Sequence, residues 1–106
     1  MIEFKIKRDA FGQPTYCPRF SEDIYNCILQ AGVAKSVTVP TNAHIAIISA
    51  SDYYFIAKDT TAVLPTTAEL TQSSSMQVFS QIDITGVTTL SIVSRNTSDL
   101  SIAFYS

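Results

Sequence analysis

Tryptophan is absent, and only three glycines, two cysteines and one histidine occur among 106 residues. So few glycines leave no phosphate-cradling loop, no dinucleotide fingerprint and no GxSxG nucleophile elbow. Cys17 and Cys27 stand ten positions apart with no second pair and no histidine cluster. That spacing fits neither CxxC redox chemistry nor a zinc site, so both read as small apolar side chains. A disulfide between them requires their segments to lie side by side.

Charge is scarce as well. Only 15% of residues are charged, with a net charge of −2, against about a quarter in an ordinary globular chain. Lys5, Lys7, Arg8, Arg19 and Lys35 interleave with Glu3, Asp9, Glu22 and Asp23, while from Thr60 to Ser106 the one cation is Arg95. No basic stripe results, so nucleic-acid binding driven by counterion release is not expected. No apolar run approaches the roughly 18 residues of a membrane span, and Met1-Ile-Glu-Phe-Lys-Ile-Lys-Arg8 lacks the apolar core of a signal peptide. Synthesis in a cytoplasm and no membrane partner are the expectations.

What remains is a hydrophobic chain, 46% by composition, whose polar surface must come from Ser, Thr, Asn and Gln. Such a surface repels neighbours weakly and suits a protein packed against other copies or partners. The length corresponds to one domain, residues 1–106, with 1–20 an N-terminal strand and loop and 21–106 the main β-sheet region. For this mass the folded surface is expected near roughly 5,800 Å², about 65% of the unfolded surface being buried. The core is thin, and oligomerisation would help it.

Alternation with a period of two dominates the chain. Ile2, Phe4 and Ile6 alternate with Glu3, Lys5 and Lys7, an opening strand of edge character; Asp9 to Pro14 then reads as turn and loop. Residues 21–32 read two ways. Ser21, Glu22 and Asp23 resemble a helix start, and Ile24, Ile28 and Leu29 fit helical spacing, yet Ile24-Tyr25 and Cys27-Ile28-Leu29 are also good strand residues. Ser36-Val-Thr-Val is a short strand closed by Pro40, and His44 to Ala50 a central strand. Tyr53 to Ala57 follows after Ser51-Asp52, which suggests a tight hairpin. Thr60 to Ser75 reads as a hydroxyl-rich loop or a short strand at Ala62-Val-Leu, and Met76 to Ile84 as one strand or a bulged pair. Val87 to Ser106 reads as a C-terminal hairpin, with Leu100, Ile102 and Phe104 inward and Ser101, Ala103 and Tyr105 on an uncharged second face. Six to eight short strands without helix alternation imply an all-β, single-domain antiparallel β-sandwich or jelly roll, or else a small barrel.

Residues able to do chemistry are few. His44, the sole histidine, opens an apolar strand and reads as a residue at the strand mouth. Asp52, Asp59, Glu69, Asp83 and Asp99 fall one per segment beside turns, the pattern of turn-capping carboxylates. Asn96-Thr97-Ser98 matches a glycosylation sequon and reads as a turn. No catalytic, cofactor or metal site is expected. The aromatic cluster Tyr53-Tyr54-Phe55 must alternate in direction, one tyrosine going to a core and one outward, where it anchors an interface or stacks on a sugar. The candidate contact residues are Tyr53, Tyr54, Tyr105 and Ser101.

The order of these phrases, Ser36-Val-Thr-Val-Pro40, Asn42-Ala43, Ile45-Ala-Ile-Ile-Ser-Ala50, Asp52-Tyr-Tyr-Phe-Ile56, a Pro-bearing loop and the closing strands to Tyr105, resembles that of small virion-associated structural proteins of tailed bacteriophages and prophages. The resemblance spans about Val33 to Tyr105. It implies a non-enzymatic decoration, cement or head–tail connection subunit, made in the host cytoplasm and then resident in the virion. Its partners would be itself, as a homo-oligomer, and other phage structural proteins of the capsid, neck or tail. Two other readings stand beside it, a small barrel of OB or Sm-like type that binds nucleic acid, and a carbohydrate-binding module.

Overall fold

A computed structural model describes residues 1–5, 7, 8, 10–15, 18–65, 75–77 and 80–106. Expectations placed on Ile6, Asp9, Cys17, Glu69, the 66–74 part of the hydroxyl-rich loop, Val78 and Phe79 lie outside the described residues. Ten strands are present among the described residues: β1 (Lys7–Arg8), β2 (Pro14–Thr15), β3 (Asp23–Leu29), β4 (Lys35–Thr38), β5 (Ile45–Ala50), β6 (Tyr54–Lys58), β7 (Met76–Gln77), β8 (Gln81–Asp83), β9 (Thr89–Ser94) and β10 (Ser98–Tyr105). Among the described residues there is no helix, and so none long and apolar enough to cross a membrane.

Eight of these strands form two four-stranded antiparallel sheets, ordered β3-β10-β5-β8 and β4-β9-β6-β7. From β3 onward the chain changes sheet at every connection except β6 to β7. That winding is an eight-stranded jelly roll, a sandwich rather than a closed barrel. β1 and β2 make a separate two-stranded ribbon at the N-terminal end.

Residues 21–32 resolve as strand β3 and a turn. Ser21, the apparent helix cap, instead closes a turn: its hydroxyl accepts the Asp23 N–H and donates to the Phe104 carbonyl at 2.6 Å. Gly32, at φ 72°, then turns the chain towards β4, and its N–H reaches the Ser94 carbonyl at 2.7 Å.

The alternation expected of the last strand holds, since Leu100, Ile102 and Phe104 are all buried. They interleave with Leu29, Ala46 and Ile48 of the same sheet and with Val37, Tyr54, Ile56, Leu90 and Ile92 of the facing one. On the far side of the second sheet a smaller cluster of Ala57, Val93 and Ala62 forms where the chain after Thr60 lies across it. The Ala62 N–H donates to the Ser91 hydroxyl there.

Two expectations of local pairing are corrected. β5 and β6 are not a hairpin, and neither are β9 and β10; each pair is divided between the sheets. β10 already lies between β3 and β5, and β9 between β4 and β6. The short links through Ser51-Asp52 and Arg95-Asn96-Thr97 are therefore corners, and the Asn96 amide donates to Asp52 at 2.7 Å to tie one to the other. Crossing at a corner lets both inner faces bury against each other, which a flat hairpin does not achieve. The opening strand also differs from expectation: residues 1–5 lie outside any strand, and among the described residues β1 is Lys7–Arg8. Ile2 and Phe4 instead bracket the end of the chain, with Ser106 N–H donating to Ile2 and Phe4 N–H donating to Ser106.

The molecule exposes 6911 Å² and measures 50 × 27 × 26 Å, more surface than the roughly 5,800 Å² of a compact chain of this mass. The N-terminal ribbon is one source, for Lys7, Arg8, Phe11 and Pro14 are all exposed.

Candidate interaction surface

The carboxylates do structural work at turns. Asp52 accepts the Asn96 amide and the Tyr53 N–H, and these two bonds hold its pKa below the ordinary carboxylate value. Asp83 accepts the Thr85 hydroxyl and N–H, with His44 adding a favourable charge, so its pKa is lowered too. Asp59, itself at φ 53°, receives the N–H groups of Thr88 and Thr89 at the head of β9. His44 is exposed at the start of β5, its N–H donating to the Tyr105 carbonyl and its carbonyl accepting from Ile84. Among the described residues no three His, Cys, Asp or Glu side chains group as metal ligands would.

The two outer faces of the sandwich differ. That of β4-β9-β6-β7 is partly roofed by the segment after Thr60. Among the described residues, that of β3-β10-β5-β8 is roofed at one end, where Tyr105 packs edge-on against Phe4, ring centroids 5.6 Å apart, and donates its hydroxyl to the Arg19 carbonyl. Beyond this end the strand registers lay down two uncharged rows, Ile24–Ala103–Ile47–Gln81 and Asn26–Ser101–Ser49. A third row follows in which Ile28 faces Asp99. Ile24 and Ile28 are 52% and 62% exposed, so the outer side of β3 carries apolar surface in water. A cleft of about 680 Å³ runs from this face to the β5–β6 corner and is lined by Ile47, Ser49, Ser51, Tyr53 and Gln77. A depression of about 540 Å³ between Asn26, Ile28, Asp99 and Ser101 shares Ser49 and Ser51 with it.

Of the four candidate contact residues, Tyr53 and Ser101 belong to this side of the molecule. Tyr53 is 76% exposed and Ser101 is half-buried. Tyr54 and Tyr105 are buried: Tyr54 points into the core, where burial pushes its phenol pKa up, and Tyr105 lies beneath Phe4. Neither presents a ring to a partner. Ile24, Asn26, Ile28, Ile47 and Ser49 complete the face and were not singled out from sequence. Their signal was the alternation itself, which shows that a strand has two sides and not which side is left open.

The chain matches no known family model, no curated protein and no solved structure.

Proposed function

We propose that this protein is a non-enzymatic structural subunit of a tailed-bacteriophage virion, working in several copies or seated on a capsid, neck or tail lattice. The observation that carries the reading is the open face of Ile24, Asn26, Ile28, Ser101, Ala103 and Ile47, apolar and hydroxylated with Asp99 at its margin. Exposed side chains of that kind lower the desolvation penalty of contact with another protein. The jelly roll adds support by analogy, since capsid proteins use this architecture, as do lectins and cupins. The resemblance of its phrase order to that of small virion proteins supports the same reading.

The test is solution mass across a concentration series, together with co-sedimentation with capsid, neck and tail proteins of a tailed bacteriophage. Self-association or co-sedimentation is expected. A monomer at every concentration that sediments with none of them overturns the proposal.

One observation favours a second reading, carbohydrate binding. Tyr53 stands exposed on the wall of a cleft that also offers Ser49, Ser51, Asp52 and Gln77, an aromatic platform beside hydrogen-bonding groups. A glycan array that gives a signal abolished by Tyr53→Ala would favour it over the structural subunit; a silent array removes it.

A further inference from the structure

The four edges of the sandwich are not protected alike. β8 is three residues long, too short to template a partner, and β7 comprises two among the described residues. β4 carries Lys35 and is followed by Pro40. β3 is seven residues long, contains no Lys, Arg or Pro, and among the described residues has β10 as its single neighbour.

Which backbone groups that edge presents follows from β10. The Phe104 carbonyl accepts Ser21 on the β3 side, whereas the Tyr105 carbonyl accepts His44 on the β5 side. Even-numbered residues of β10 therefore turn their N–H and C=O groups towards β3, and their partners Asp23, Tyr25, Cys27 and Leu29 answer them. That leaves the N–H and C=O groups of Ile24, Asn26 and Ile28 aimed away from the sheet.

We infer that β3 is the seam of a two-fold homodimer, pairing antiparallel with β3 of a second copy about Asn26. The strand reads nearly the same in both directions: Asp23-Ile-Tyr-Asn-Cys-Ile-Leu29. Centred on Asn26, all seven residues are paired. Ile24 meets Ile28 of the second copy and Asn26 meets its own counterpart, each of these being a residue whose backbone groups point outward. Three hydrogen-bonded pairs and an amide-to-amide contact result, with isoleucine against isoleucine on both sides of the axis.

Charge agrees with the same centre. The acidic start of each strand, Glu22-Asp23, comes opposite the Leu29 end of the other, where Gln30 is neutral and exposed Lys35 heads β4 just past the turn. No like charges are opposed along the seam. The two sheets β3-β10-β5-β8 then join as one eight-stranded sheet, and the open rows of both copies run on continuously. This deepens the assembly reading by naming the surface through which copies meet.

The test uses the full chain. The unmodified protein is expected at twice its 11.6 kDa monomer mass, or at a multiple of that dimer. Ile28→Lys, which puts a charge on the edge, is expected to halve the dimer mass while the far-ultraviolet spectrum stays unchanged. In a Cys17→Ser, Cys27→Ser background, Asn26→Cys is expected to oxidise to a covalent dimer, because hydrogen-bonded partners lie about 5.5 Å apart at Cα, within disulfide reach. Ile24→Cys alone is expected to stay uncrosslinked, since it faces Ile28 and not itself. Should Ile28→Lys fail to fold, the Asn26→Cys result decides alone. Self-association that survives Ile28→Lys, with no Asn26→Cys dimer, overturns the seam and leaves the assembly reading standing. A chain that is monomeric throughout and binds no virion protein overturns both.

Discussion

Tyr54 is buried among Val37, Ile56 and Ile92, and its hydroxyl finds no partner among the described residues. An unpaired buried hydroxyl retains its desolvation penalty, so removing it relieves the core while keeping the ring. Tyr54→Phe is expected to be neutral or to stabilise by up to about 1 kcal/mol, read as a rise in urea midpoint at unchanged m-value. Asp83 makes a pH prediction. Its pKa is depressed in the folded chain by the Thr85 hydroxyl and N–H, so the folded state binds its proton less readily than the unfolded one. Its contribution is therefore present above the unfolded carboxylate pKa and is lost as pH falls through the lower folded value. Acid titration followed by circular dichroism is expected to show less loss of stability in this acid range for Asp83→Asn than for the unmodified chain. Asp52 behaves with the same sign for its own reason, the Asn96 amide.

At the scale of strands, β10 is an inner strand of its sheet and Ile102 is wholly buried on its inner face. Ile102→Ala is expected to cost about 2–5 kcal/mol in guanidinium unfolding, the range for a truncated core isoleucine. The inward positions of β10 were legible from alternation alone, because a period of two fixes which residues share a side. What alternation does not encode is the neighbour. Ser51-Asp52 and Arg95-Asn96-Thr97 are short enough for hairpins, and corner and hairpin place the same residues inward. Residues 21–32 show the same limit: Ile24 and Ile28 lie four apart, a spacing that keeps them on one side of a strand and on one side of a helix. Strand won through its partner, β10, which lies far along the chain. The candidate surface was half legible for the same reason. Its poverty of charge is a property of composition, but its location depends on β3 being an edge and on the N-terminal segment covering Tyr105 rather than Ser101.

For the whole molecule, sheet order makes nearly every strand contact distant in sequence. β3 pairs with β10 and β4 with β9, while from β3 onward consecutive strands sit in opposite sheets except β6 and β7. Folding is accordingly expected in the millisecond-to-second range by stopped-flow fluorescence of the tyrosines, as for other sandwiches of non-local topology. A peptide of residues 87–106 is expected to lack strand signal in circular dichroism, because β9 and β10 pair with other strands and not with each other. A stable hairpin in that peptide would contradict the corner assignment.

The position of β9 and β10 has a consequence for biosynthesis. Each fills the second place in its sheet and leaves the ribosome after the strands it pairs with. Until they emerge, β3 and β4 have no neighbour, and the nascent chain carries Ile24, Ile28, Leu29 and Val37 without the strands that later shield one side of them. The same β3 proposed above as the dimer seam is, during translation, a strand with two open edges, so premature termination before β9 yields an aggregation-prone fragment rather than a smaller domain.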